Sequence, residues 1–206
     1  MKLRNLYAGL LALAIIAAVP LKAPAAQTQT IVLAGGCFWG MQGVFERLKG
    51  VTTTVGYAGG ASATAHYEIV STGETGHAES VEIVYDPSLI SLQQLFAVYF
   101  FVAHDPTQVN RQGPDDGSQY RSSIFYTTPA QRDAATAYVN ALTKRHAFGA
   151  PIATQIVPLR AFYPAEAYHQ HYMDHNPDEP YIVFNDAPKV VALRSKYPQL
   201  LATPST

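Results

Sequence analysis

Between Thr30 and Leu201 the chain switches repeatedly between two hydrophobic periods, and that switching confines it to one sheet with helices packed on it. Thr30 to Leu33 is a short β-prone run, and Phe38, Met41, Phe45 and Leu48 then fall at helical spacing up to Gly50. Val51 to Tyr57 alternates Val and Thr as a strand does, and Ser80 to Tyr85 puts Val81, Ile83 and Tyr85 on one face. Ser91 with Gln94 three residues on forms a capping box, and Leu92, Leu95, Phe96, Tyr99 and Ala103 mark the helix stripe behind it. Ile124 to Thr127 is a strand. Thr128 caps a further helix, with Pro129 in its first turn; it runs to about Ala147 and stops at Gly149 and Pro151. Ile152 to Leu159 is predicted as a strand and Pro164 to His175 as a helix, with Asp186 capping a last helix that reaches Leu201. The fold class is therefore α/β or α+β, a sheet with packed helices.

At 206 residues the chain suits one domain with a targeting segment to spare. Lys2 and Arg4 precede an apolar stretch from Leu10 to Pro20, and Ala23-Pro24-Ala25-Ala26 offers a peptidase small residues. That stretch is shorter than the ~20 residues a membrane span needs. Residues 1–26 read as a cleaved export signal and 27–206 as one catalytic domain, giving a periplasmic or otherwise exported protein; an uncleaved anchor is the other reading. A net charge of −1 gives no basic patch for nucleic acid.

Cysteine usage narrows the chemistry. Exported domains stabilised by disulfides carry cysteines in even numbers, and this chain has one, Cys37. It lies in Gly35-Gly36-Cys37-Phe38-Trp39-Gly40, where a strand turns through two glycines into a helix. A helix start favours a thiolate by roughly 0.3–1 kcal/mol, less than the 1.36 kcal/mol of one pKa unit. Burial beside Phe38 and Trp39 acts in the opposite direction. A thiol so placed requires an activated substrate or an acid nearby, and Phe38 with Trp39 would wall an apolar pocket for a small alkyl group.

Gly73-Glu74-Thr75-Gly76-His77-Ala78-Glu79 can supply the acid. A carboxyl buried at Glu79 would hold its proton at neutral pH and could donate it. With 13 tyrosines in the chain some phenols should have hydrogen-bonding work, Tyr57, Tyr67 and Tyr120 beside glycine-rich loops among them. Cys37 with His77 or His169 as base would instead make a cysteine hydrolase or acyltransferase. A module that cradles methionine without turnover is a third reading. His171 and His175 have a chelating spacing but lack the acidic partner of a H-E-x-x-H motif, so no metal and no other cofactor is expected.

Gly36-Cys37-Phe38-Trp39-Gly40 is identical to the nucleophile motif of the A-class methionine sulfoxide reductases, and further blocks follow in order. Val55-Gly56-Tyr57-Ala58-Gly59-Gly60, Tyr67-Glu68-Ile69-Val70, Thr75-Gly76-His77-Ala78-Glu79 and His104-Asp105-Pro106-Thr107-Gln108 resemble the family. So do Arg111-Gln112-Gly113, Asp115 to Ser122, Phe162 to Glu166 and Tyr168-His169-Gln170. The resemblance implies Cys37 as nucleophile, Glu79 as proton donor, and Tyr67 and Tyr120 as hydrogen-bond donors to the sulfoxide oxygen. It implies substrate binding by Phe38, Trp39 and Asp115, preference for the S epimer, and a two-layer sandwich with a ferredoxin-like core. Two departures stand out. No second cysteine is present to resolve a sulfenic acid, so the implied reductant is an outside thiol, thioredoxin-like or small. Pro114 precedes Asp115 where a small polar residue is expected.

Overall fold

The computed structural model describes residues 27–203; the expected export signal at 1–26 lies outside the described residues. β1 (Gln29–Ala34), α1 (Phe38–Phe45), β2 (Val51–Ala58), the short α2 (Tyr67–Val70) and β3 (Ala78–Tyr85) come first. α3 (Leu92–Val98) runs on through a π-helical turn, Tyr99–Ala103. A small hairpin, β4 (Arg111–Gln112) with β5 (Asp115–Asp116), precedes β6 (Ser123–Tyr126), α4 (Pro129–Lys144) and β7 (Gln155–Pro158). β8 (Phe162–Pro164), α5 (Tyr172–His175) and α6 (Ala187–Lys196) complete the chain.

β1 and β2 both pair antiparallel with β3, so they run parallel to each other with α1 as their crossover. β3 and β6 likewise both pair antiparallel with β1, and α3 joins them. These two interlocked β-α-β units give the order β6-β1-β3-β2, the expected ferredoxin-like core. β7, parallel to β6, and β8, antiparallel to β2, extend it into a mixed six-stranded sheet.

Period two along the strands separates the faces. Ile31, Leu33, Val55, Val81, Ile83 and Ile124 point into the main core with Met41, Val44 and Phe45 of α1, Leu95 and Phe96 of α3, and Leu142 of α4. The opposite face holds a smaller cluster, Val32, Ala34, Ala58, Ala78 and Phe125, packed against Val157, Leu159 and Phe162. Both N-terminal helix signals form as expected. Ser91 and Gln94 bond reciprocally, and Thr128 accepts from Gln131 N–H with Pro129 in the first turn.

The C-terminal third departs from expectation. Pro164 to His175 is not one helix: it is the end of β8, a 3-10 turn at Ala167–His169, a left-handed residue at His171 (φ 54) and then α5. Tertiary hydrogen bonds override the local helical pattern. Ala165 N–H bonds the Val55 carbonyl, and the Gln170 amide side chain takes both the N–H and the carbonyl of Val55. Asp186 is not a side-chain cap either. A π-helical turn, Ile182–Asp186, already carries the helix into α6, and the carboxylate faces inward to Lys189. α6 ends at Lys196, and Leu201 instead bridges Leu48; α4 ends at Lys144, and β7 is shorter than the run from Ile152 to Leu159.

Candidate active site

The glycine turn after β1 sets the site. Gly36 adopts φ +95, and a Cβ there would run into the Gln112 side chain, so glycine is required on two counts. Cys37 then occupies the cap position of α1 with φ −52 and ψ 124, and its side chain makes no capping bond. It is only 7% exposed. Burial pushes its thiol well above the usual range, and the carboxyls of Glu79 and Asp186 push the same way; the Trp39 backbone N–H and the Lys189 cation oppose them. Desolvation therefore outweighs the helix terminus, and at rest the group is a thiol.

Glu79 lies at the start of β3, opposite Tyr57 in the ladder, and is 3% exposed. Its Oε2 accepts the Phe38 N–H at 3.1 Å, so a side chain 41 residues away satisfies one of the unpaired donors of α1. Burial raises its pKa to about 8, helped by Asp115 and Asp186 and opposed by the Phe38 bond. At pH 7 the protonated form is therefore favoured. One oxygen accepts from the helix while the carboxyl still has a proton to give.

The other expected residues gather round this pair. Tyr67 opens α2, with its N–H on Glu166 Oε1 at 3.0 Å, and Tyr120 ends the 3-10 turn Ser118–Tyr120. Both are half-buried, and burial first, then the Glu79 charge, raises each phenol, with a smaller effect from Cys37. Phe38 lies almost wholly inside, against Tyr57 and His169, while half-buried Trp39 stacks on Tyr172 with ring centroids 3.8 Å apart. Asp115 sits just after the β4–β5 turn, in which Gly113 has φ +57 and Pro114 is held at negative φ by its ring. Burial raises the Asp115 carboxyl, and the Tyr181 hydroxyl that donates to it and the Lys189 cation act to lower it.

Several contributors were not legible in the sequence. Tyr181 anchors Asp115 across 66 residues, and Glu166 holds the Tyr57 hydroxyl at 2.8 Å as well as the Tyr67 N–H. The Trp39 indole N–H donates to His169 Nδ1 at 3.1 Å. Indole can only donate, so that ring nitrogen accepts and the neutral imidazole carries its hydrogen on Nε2. Burial lowers the pKa of His169 and keeps it neutral. Glu166 and His169 lay within blocks resembling the family, without a partner assigned to them, and for Tyr181 the only signal was the abundance of tyrosine.

The hydrolase reading lacks a base. His77 accepts from Gly60 N–H and pairs with the Ala61 carbonyl, His169 is committed to Trp39, and neither bonds Cys37. His171 precedes α5 and meets Glu46 at 2.7 Å. Among the described residues no three His, Cys, Asp or Glu side chains are grouped to hold a metal ion.

Comparison with known proteins adds the relatives. A family model described as peptide methionine sulfoxide reductase matches residues 29–200. The peptide methionine sulfoxide reductase MsrA 2 of Mesorhizobium japonicum is 55% identical over 174 residues, 84% of this chain and 89% of that one. The MsrA 2 of Synechocystis is 49% identical over 187 residues, covering 90% and 87%. Among solved structures, methionine sulfoxide reductase A of Corynebacterium diphtheriae has a TM-score of 0.68 at 40% identity, covering 75% of this chain and 77% of that one. Reduced Mxr1 of Saccharomyces cerevisiae also has 0.68, at 36% identity, covering 76% and 90%.

Proposed function

Because the chain belongs to the peptide methionine sulfoxide reductase family and reduces methionine sulfoxide to methionine, we propose that Cys37 and Glu79 together carry the reaction. The observation that supports this most is the Glu79 carboxyl, buried and bonded to the first N–H of α1 with a buried thiol nearby, where burial raises its pKa to about 8. A sulfoxide oxygen is a poor leaving group until protonated. Glu79 donates its proton to that oxygen, Tyr67 and Tyr120 hydrogen-bond it, and the substrate sulfur becomes electrophilic. Cys37 attacks, and its thiol proton passes to the carboxylate just formed. The S–O bond of the substrate breaks, the hydroxyl passes to Cys37, and methionine leaves. The substrate is reduced by two electrons, Cys37 becomes a sulfenic acid, and Glu79 ends protonated. Trp39 and Phe38 hold the S-methyl group, and Asp115, fixed by Tyr181, positions the substrate backbone.

We assign the site the S epimer, as the resemblance to the A-class reductases implies. Supplying S and R methionine sulfoxides separately with a chemical dithiol should yield methionine from the S epimer alone. Equal yields from both, or none from either, would remove this reading.

Oxidised proteins and peptides are the proposed substrates, and an outside thiol, thioredoxin-like or small, the proposed reductant. Export is proposed on residues 1–26 alone. Mass analysis of the protein released from the cell envelope should place its N-terminus near Gln27; a mature chain retaining Met1 would contradict it.

A further inference from the structure

Asp186 has no part in the reaction just described, yet it is the most completely enclosed carboxylate near Cys37. It is 0% exposed; Oδ1 bonds Lys189 Nζ at 2.9 Å, and Oδ2 has no partner within the protein. The pair lies directly on Gly40 of α1, where a Cβ would overlap the carboxylate and come within 2.9 Å of Nζ. Gly40 is three residues after Cys37, so the ion pair and the cysteine share one face of the first helical turn. An enclosed ion pair with an unpartnered oxygen is costly to the fold, and hydrophobic residues of like volume would often serve stability better.

We propose that the Asp186–Lys189 pair is a positioning element that sets the reactivity of Cys37 from beneath the first turn of α1. The inference rests on Cys37 being the nucleophile. The groups bearing on the cysteine are Glu79 from β3, Tyr67 from α2, Tyr120 from its 3-10 turn, Tyr181, Asp186 and Lys189. Asp115, bonded to Tyr181, completes the ring. Lys189 is the cation of this set, and it opposes the carboxyl groups at Cys37, Asp115 and Asp186. The two members of the pair thus act on Cys37 with opposite signs, Asp186 disfavouring the thiolate and Lys189 favouring it, on top of the burial that keeps the thiol neutral at rest.

Opposite signs give a test that packing alone would not pass. The rate of Cys37 alkylation by iodoacetamide at fixed pH follows the thiolate fraction, because the thiolate is the nucleophile. At pH 8 Asp186→Asn should raise that rate and Lys189→Met lower it, each by about threefold to tenfold, a shift of roughly half to one pKa unit from removing one nearby charge. The double variant should return to within about twofold of the parent, and Lys189→Arg should stay near it. Alkylation needs no sulfoxide, so it reads the pair independently of the reductase assignment, which the epimer assay tests on the parent enzyme. Singles that shift the rate in the same direction, or leave it unchanged, would assign the pair a packing role alone and overturn the proposal. Should either single fail to fold, the double variant against the remaining single decides by the same comparison: the single shifted in its stated direction and the double back near the parent supports the proposal, and both unshifted overturns it.

Discussion

Glu79→Gln is expected to slow the reduction step about 10²–10⁴-fold at pH 7, the usual contribution of a positioned general acid. Glutamine keeps the shape and can still accept the Phe38 N–H that Glu79 Oε2 accepts at 3.1 Å, so α1 retains its cross-chain partner. What disappears is the proton. The parent should hold its single-turnover rate up to about pH 8 and lose it above, where Glu79 becomes a carboxylate. The variant should recover partly at low pH through protonation from solvent. An unchanged single-turnover rate would show that the proton comes from elsewhere.

The same substitution should act on stability with the opposite sign. Glu79 is raised from 4.5 to about 8 in the fold, so between these values the native state binds more protons than the unfolded chain. Stability that this group leaves intact below pH 4.5 is lost as pH rises through the window, about 5 kcal/mol in all by an order-of-magnitude conversion. Glutamine does not titrate. Parent and variant should therefore differ least in Tm near pH 4, and the variant should gain through pH 4.5 to 8 and level off above. A constant difference across that range would contradict a raised Glu79 pKa. A residue that weakens the fold at neutral pH and is indispensable to the reaction is the expected sign of function overriding stability.

How far the sequence could be read depended on the span of each interaction. The turn at Gly35-Gly36, the helix opening after Cys37 and the caps at Ser91 and Thr128 are each decided within a few residues, and all form as expected. The ferredoxin-like strand order followed from the family resemblance; the hydrophobic periods by themselves went no further than a sheet with packed helices. Glu79 was legible as a candidate acid at a strand start, but its bond to Phe38 N–H was not, since nothing local ties residues 41 apart.

The misread stretches fail for the same reason. Pro164 to His175 carries a helical pattern, but the free edge of β2 draws Ala165 and Gln170 into hydrogen bonds with Val55 instead. Asp186 stands where an Asp commonly caps a helix, and its actual place against Gly40 depends on α1 and α6 meeting across more than 140 residues. Sequence pattern reports what a segment would do alone. In this protein the site is assembled where segments answer to one another.

Cys37→Ser should remove turnover altogether, because a hydroxyl is far less nucleophilic towards sulfur and no other thiol exists in the chain. Activity within about tenfold of the parent would end the thiol mechanism. The parent makes the stronger statement, because its cysteine count fixes the stoichiometry. Mixed with methionine S-sulfoxide and no reductant, it should release about one methionine per enzyme and stop, its mass higher by about 16 Da as the sulfenic acid forms. An internal disulfide is impossible with a single cysteine, and the 7% exposure of Cys37 shelters the product, so a sulfenic-acid trap should still find it. Adding a thiol converts the sulfenic acid to a mixed disulfide with loss of water, and a second thiol then frees Cys37. Turnover should therefore restart only on adding thiol. Two methionines per enzyme without added reductant would contradict the scheme, because one thiol passing to sulfenic acid supplies two electrons and one sulfoxide consumes both.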